Sequence, residues 1–266
     1  MKVYVALGIA LIMGIAGCET CDTCYEICYD DQPPAVPTGV GSITGDGYVV
    51  VYWNPVYEEV LAGYGVYRSR YDEGPYRRIG TVGRDDETVF YDEDVINGLT
   101  YYYAVDAFDY SGNESELSYE TVDDTPRPEG WDLYWFTVDY DASQAAIALL
   151  PDQGVVVVPY SDPWADYYLG VDDEGLKRIV PIGANQIQDY GYTEHPDEVD
   201  EAPIDGWSQA SDGVEVITGH TYILRTSDGY YGKVRVESLG PDWIIVYWAL
   251  QVKRWSTELA PPARKS

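Results

Sequence analysis

Basic residues are scarce in this chain: 16 Lys+Arg stand against 46 Asp+Glu, a formal charge of −30 over 266 residues. A field of that sign repels phosphate backbones and anionic membrane surfaces, so nucleic-acid binding is excluded as a function class. Phenylalanine is nearly absent, with 3 Phe against 27 Tyr and 8 Trp. Almost every aromatic ring therefore carries a polar handle, the pattern of half-exposed strands and of binding surfaces. Only two histidines occur, His195 and His220, and the four cysteines all lie between positions 18 and 28. With no Gly-x-Ser-x-Gly and no cysteine in the body of the chain, no nucleophile–base triad can be drawn, and the chain reads as non-enzymatic. Abundance hides any catalytic carboxylate pair among the 46 acids, which keeps a surface hydrolase acting on polysaccharides as the rival reading. Long apolar runs are missing beyond the N-terminus, yet 45% hydrophobic content is ample for packed cores in about two domains.

Lys2 is followed by an apolar run over 3–16, too short for a convincing spanning helix, and then by Ile15-Ala16-Gly17-Cys18. This is the anatomy of an export signal, and its end resembles the lipobox of bacterial lipoproteins. The resemblance implies a signal peptide over 1–17 and acylation of Cys18. It also implies an exported protein held in the bacterial cell envelope, at the outer membrane or cell surface, by several acyl chains. Cys18, Cys21, Cys24 and Cys28 have the spacing of a ferredoxin cluster run, but Tyr29 stands where that run has Pro and no second cysteine set exists. An acylated Cys18 leaves Cys21, Cys24 and Cys28 as disulfide candidates, the odd one free to link two copies into a dimer. Residues 18–33 read as a Cys-rich acidic tether.

From Pro33 the prolines give an extended spacer, and period-two alternation begins at Val49, Val51 and Trp53, resumes at Tyr64 and Val66, and again at Tyr101, Tyr103, Val105 and Ala107. Gly, Pro and acidic turns separate these segments, as in an antiparallel sandwich. Pro34, Pro37, Val40, Trp53, the Gly63–Arg68 run and the Val95–Ala107 run fall in the order of a fibronectin type III domain, which residues 34–125 resemble. That resemblance gives Trp53 the role of core tryptophan and Tyr101 the role of corner tyrosine, its hydroxyl bonded back upstream.

After the Pro- and acid-rich joint at 123–130 the pattern resets into a second, mostly antiparallel β domain over 130–255, with 256–266 as a tail. The fold class expected is all-β. A stretch at 142–150 reads as helix or strand alike. Asp228-Gly229 between two alternating runs is a hairpin signal. That hairpin over 219–236, the final strand from Trp243 to Gln251 and the opening Trp131-Asp132-Leu133 resemble the HmuY family of haem-capturing lipoproteins. The resemblance implies haem held by two axial histidines, and His195 and His220 are the only candidates. Lys233 and Arg235 form a basic stripe expected to repair charge in an acidic domain.

The loop around His195 offers Glu194, Asp197, Glu198, Asp200 and Glu201, enough oxygen for Ca2+ though without the EF-hand pattern; a solvated acidic loop explains them as well. Trp164, Tyr167, Tyr168, Tyr190, Tyr192 and Trp207 would suit a sugar or flat apolar ligand if clustered, and core packing if not. The expected protein is an exported, lipid-anchored binding or structural protein. A fibronectin type III spacer displays a distal β domain to haem, a glycan or a surface protein, with carbohydrate-binding adhesion as the nearest alternative.

Overall fold

The computed structural model describes residues 32–208 and 213–260. The expected signal peptide, Cys18, Cys21, Cys24 and Cys28 all lie outside the described residues.

Seven strands come first: β1 (Gly41–Thr44), β2 (Val49–Tyr52), β3 (Leu61–Ser69), β4 (Arg77–Gly83), β5 (Val89–Asp92), β6 (Tyr101–Asp109) and β7 (Val122–Asp124). They form two antiparallel sheets in the orders β1-β2-β5 and β4-β3-β6-β7, the arrangement of a fibronectin type III sandwich. Alternation builds it: Val49 and Val51 of β2, Tyr64 and Val66 of β3, and Tyr103 and Val105 of β6 all bury their side chains between the sheets. Trp53 lies in that core with its ring edge-on to Tyr64, 5.3 Å between centroids. The Tyr101 hydroxyl accepts the Ile96 N–H at 3.0 Å, which ties the turn before β6 to the strand.

Ten strands follow: β8 (Glu129–Phe136), β9 (Ala146–Leu150), β10 (Gly154–Val158), β11 (Tyr167–Val171), β12 (Lys177–Pro181), β13 (Gln186–Tyr192), β14 (Val214–Glu215), β15 (His220–Arg225), β16 (Tyr231–Leu239) and β17 (Trp243–Gln251). They make two five-stranded antiparallel sheets, β10-β9-β11-β12-β14 and β13-β15-β16-β17-β8. Trp135, Ile147, Leu169, Ile179, Tyr222 and Val234 fill the space between them. The helix-or-strand ambiguity at 142–150 resolves as β9, because its apolar residues find a partner in β10 across a tight reversal, Leu150 opposite Gly154. At the other hairpin, Gly229 takes φ +97° so that the Thr226 N–H can reach the Tyr230 carbonyl at 2.9 Å.

The joint between the two sandwiches is not a solvated linker. Residues 124–128 are all buried. The Gly98 N–H donates to the Pro126 carbonyl and the Arg127 N–H to that of Gly45, on one side. On the other, the Leu250 N–H donates to the Pro128 carbonyl. Nor is the C-terminal segment a loose tail as far as it is described: Leu259 and Ala260 are buried, and the Leu259 N–H donates to the Asp200 carbonyl at 2.6 Å.

The tyrosine excess has a second cause besides exposed strands. Tyr64, Tyr101, Tyr103, Tyr167, Tyr222 and Tyr247 are buried, and each hydroxyl finds a partner inside the protein. Tyr222 is typical: its ring sits in the second core while its hydroxyl accepts the Ile217 N–H and donates to the Glu215 carbonyl, both at 2.8 Å. Phenylalanine would fill the same volume and leave those two backbone groups unpaired. Tyr222→Phe is therefore expected to cost ~1–3 kcal/mol of unfolding free energy in a urea titration, with the fold retained.

Asp124, fully buried at the end of β7, accepts a 2.6 Å hydrogen bond from the Thr44 hydroxyl. Burial pushes its carboxyl up to about 6, only partly offset by the Thr44 hydroxyl and the Arg127 guanidinium. A raised carboxyl favours the protonated folded state, so its contribution is full below pH 4 and is lost as pH rises through about 6. Asp124→Asn should flatten the stability profile between pH 4 and 7, read from thermal unfolding across that range.

Candidate functional site

The β13-β15-β16-β17-β8 sheet has one face in the core, and the other face is divided in two. Over β15 and β16 the chain covers itself. The 193–207 segment and the C-terminal residues lie across the sheet, where Val199, Ala202 and Leu259 pack with Ile223 and Tyr231 into a small second core flanked by Trp207. What fastens this cover is charge. Lys233, with no exposed side-chain surface, donates to the carbonyls of Pro196 and Val199 at 2.8 and 3.2 Å and to the Asp197 carboxylate at 3.1 Å. Arg127 of the joint reaches the same carboxylate oxygen at 3.0 Å and the Glu129 carboxylate at 3.4 Å. Glu129 in turn accepts from the Tyr247 hydroxyl at 2.8 Å.

Burial would raise the Asp197 carboxyl, but Lys233 and Arg127 outweigh it and hold it below the ordinary carboxylate range. Burial, with Arg127 adding to it, pushes the Lys233 ammonium down to about 8. The basic stripe thus serves the acidic loop by pinning it: Arg235 does likewise through hydrogen bonds to the Thr193 carbonyl, and its charge is balanced by Glu237 on its own strand.

Over β8 and the 243–245 end of β17 the outer face carries aromatic side chains that stay exposed or half-buried, whereas Tyr247 and Ala249 further along β17 are buried. Register places Phe136 opposite Trp243 and Tyr134 opposite Ile245. Tyr134 lies 5.8 Å from Trp243 and 6.5 Å from Phe136, and Phe136 lies 5.7 Å from Tyr140 with only 16° between the rings. At the other end Trp131 packs on Tyr247 at 4.6 Å. Trp131, Tyr134 and Tyr140 are each at least half exposed, at 55%, 50% and 63%. A β-bulge produces this layout: Trp131 and Asp132 together face Tyr247 alone, between the pairs Gly130–Trp248 and Leu133–Val246. Such a row of rings with hydroxyls and neighbouring carboxylates offers C–H surfaces a stacking partner and hydroxyl groups an acceptor.

The 136–140 segment then turns onto the other sheet, where the Val138 N–H donates to the Leu169 carbonyl. Val138 and Asp139 line a cleft of about 670 Å³, whose other walls include Tyr168, Asp173, Glu174 and Arg178. Arg178 is bound to Asp172 at 2.7 Å.

The residues singled out in the sequence are placed differently. His195 opens the short 3-10 turn Pro196–Glu198, its Nδ1 accepting the Asp197 N–H, and Glu198 returns a bond to the His195 N–H. His220 is held by the Asp189 carboxylate at 3.0 Å. Neither histidine lines the cleft, and each has a local partner, so the arrangement lends haem ligation no support. The Asp189–His220 pair has no hydroxyl or thiol bonded to its imidazole among the described residues.

Of the Ca2+ candidates, Asp197 turns inward to Arg127 and Lys233, and Glu198 is consumed by the turn it caps, so Glu194, Asp200 and Glu201 are left without them. Among the described residues no group of three or more His, Cys, Asp or Glu is placed to hold a metal ion. The aromatic set Trp164, Tyr167, Tyr168, Tyr190, Tyr192 and Trp207 is scattered. Tyr167 is core, Trp207 flanks the small second core, and Tyr168 packs on Tyr160. The row on β8 was overlooked, although aromatics at 131, 134, 136 and 140 in one strand and its turn are a visible signal.

No family model matches the chain. The amylopullulanase of Thermoanaerobacterium saccharolyticum is 34% identical over 163 residues, 61% of this chain and 11% of that protein. The amylopullulanase of Thermoanaerobacter thermohydrosulfuricus is 27% identical over 239 residues, 87% of this chain and 15% of that protein. The chain thus spans only 11–15% of the length of these curated relatives. Among solved structures, an Fn3-like protein from Clostridium thermocellum is 29% identical, covering 36% of this chain and 98% of its own, with a TM-score of 0.30.

Lys233→Met keeps the volume and removes the cation, leaving the Pro196 and Val199 carbonyls without their donor and Asp197 with Arg127 alone. The expected cost is ~1–3 kcal/mol in a denaturant titration, with new protease cleavage within 193–207 as the cover lifts.

Proposed function

We propose that this is an exported, non-enzymatic polysaccharide-binding protein. A lipid anchor at Cys18 and a cysteine tether hold it in the cell envelope, the fibronectin type III domain is a spacer, and the second sandwich binds a glycan. The observation that carries the reading is the aromatic row on β8 and the start of β17, exposed on a sheet face that over β15 and β16 the chain covers with its own loop and tail. Exposed apolar patches of this kind mark interaction sites. A patch made of Tyr and Trp beside Asp residues suits pyranose rings, which have apolar faces and hydroxyl edges. The amylopullulanase relatives support the same ligand class. The shared stretch is a small part of those proteins, as an accessory domain would be.

The test is retardation of the purified protein in native gels containing pullulan, amylose or a panel of other polysaccharides. Binding to at least one glycan is expected. Trp131→Ala and Tyr134→Ala are each expected to weaken it about tenfold, the equivalent of ~1.4 kcal/mol. Unchanged urea midpoints would accompany that loss. Retention of full affinity by both variants, or the absence of binding across the panel, overturns the proposal. Release of product from any of these polymers by the protein alone would favour the hydrolase reading.

A further inference from the structure

Among the described residues only Asp132 and Trp255 combine a side chain with positive φ, at 60° and 62°. The Trp255 conformation has a visible cause: its N–H donates to the Gly229 carbonyl at 2.7 Å and its ring lies over the hairpin turn there. Asp132 has none. Its carboxylate makes no hydrogen bond or ion pair among the described residues, and it is exposed in the β8 bulge between Trp131 and Tyr134. A bulge residue in the left-handed region is the place where glycine is the default, because an added Cβ is strained there. Strain kept without an internal partner points to a use outside the fold.

We propose that Asp132 is the specificity-determining acceptor of the aromatic row, its two carboxylate oxygens receiving hydroxyl protons of the sugar unit that stacks on Trp131. The inference rests on the polysaccharide-binding reading. The bulge is what makes the pairing work, since it puts Trp131 and Asp132 at one place on the strand where regular alternation would send them to opposite faces. An acceptor-only group beside a ring also selects the ligand. It takes uncharged hydroxyl-rich sugars and repels uronates, in keeping with a surface of net charge −30.

The experiment compares wild type, Asp132→Gly and Asp132→Asn for retardation by the bound glycan and by polygalacturonate, with thermal unfolding of each. Asp132→Gly relieves the backbone and is expected to raise Tm by ~2 °C while weakening glycan binding about tenfold. Asp132→Asn keeps the shape and tolerates the conformation, so Tm should hold, and losing one acceptor should weaken binding severalfold. Polygalacturonate should not retard wild type. A residue that merely blunts an edge strand would change Tm or solubility and leave affinity alone. Wild-type affinity in Asp132→Gly, or binding of polygalacturonate as tight as of a neutral glycan, overturns the inference while the polysaccharide-binding reading stands. Failure of wild type to bind any glycan removes both.

Discussion

One carboxylate with two cations fixes the architecture of the second half of this protein. Asp197 sits between Arg127, which belongs to the segment joining the two sandwiches, and Lys233, which rises from the middle of a sheet. Neither cation would be stable where it is without that partner, because each is fully or almost fully withdrawn from water. The contact does three jobs at once. With Glu129 beside Arg127 it balances two buried cations, it lays the 193–207 segment on the sheet, and it anchors the joint against the second domain. Because the Arg127 N–H also donates to the Gly45 carbonyl, the same residue is held by the first domain. The two sandwiches are thus tied through a buried segment of five residues, 124–128.

The cover determines which part of the sheet face stays accessible. A sheet of five strands has an outer face too large to leave bare, and an acidic loop is a poor cover for an apolar surface. The chain solves this locally: Lys233 meets the loop's Asp197 and Arg235 its Thr193 carbonyl, while Ile223, Tyr231 and Leu259 supply the apolar contact. The loop stops short of β8. There the outward positions change from basic and aliphatic to aromatic, and the edge is interrupted by a bulge that twists it away from regular pairing. A flat aromatic edge on a neutral protein would be an aggregation site. On a chain with thirty excess negative charges, self-association is opposed electrostatically, and the rings can stay exposed to an uncharged partner.

Much of the fold was legible because alternation is a local signal. Val49, Val51 and Trp53, or Tyr101, Tyr103 and Val105, show their buried face without any knowledge of the partner strand, and Asp228-Gly229 announces its hairpin. The β13 strand was missed for the opposite reason: Gln186–Tyr192 is mostly polar, and a bulge between Asp189 and Gly191 breaks its period. The site was less legible still. Acidic residues at 194–201 look alike in sequence, and only the three-dimensional placement of Lys233, some thirty residues later, separates the buried Asp197 from its neighbours. The tyrosines pose the same difficulty, since Tyr167 and Tyr168 are adjacent in sequence yet one is core and the other faces the cleft.

That last contrast bears on how one strand can hold a core and present a separate outer surface. In a strand, one residue inward and the next outward are decided by register, so the core side fixes the pleat and the outer side is free to carry any chemistry. Leu133 and Trp135 hold β8 against the core, with the Trp135 indole N–H donating to the Ala145 carbonyl at 2.7 Å, and so Tyr134 and Phe136 are aimed outward whatever they are used for. The bulge at Trp131 and Asp132 is the single departure from that rule, and it is the one point on the strand where backbone geometry was given up to place two neighbouring side chains together. The core residues of β8 account for where the row points. The bulge accounts for the left-handed backbone of Asp132, and nothing in the core requires the bulge at that place.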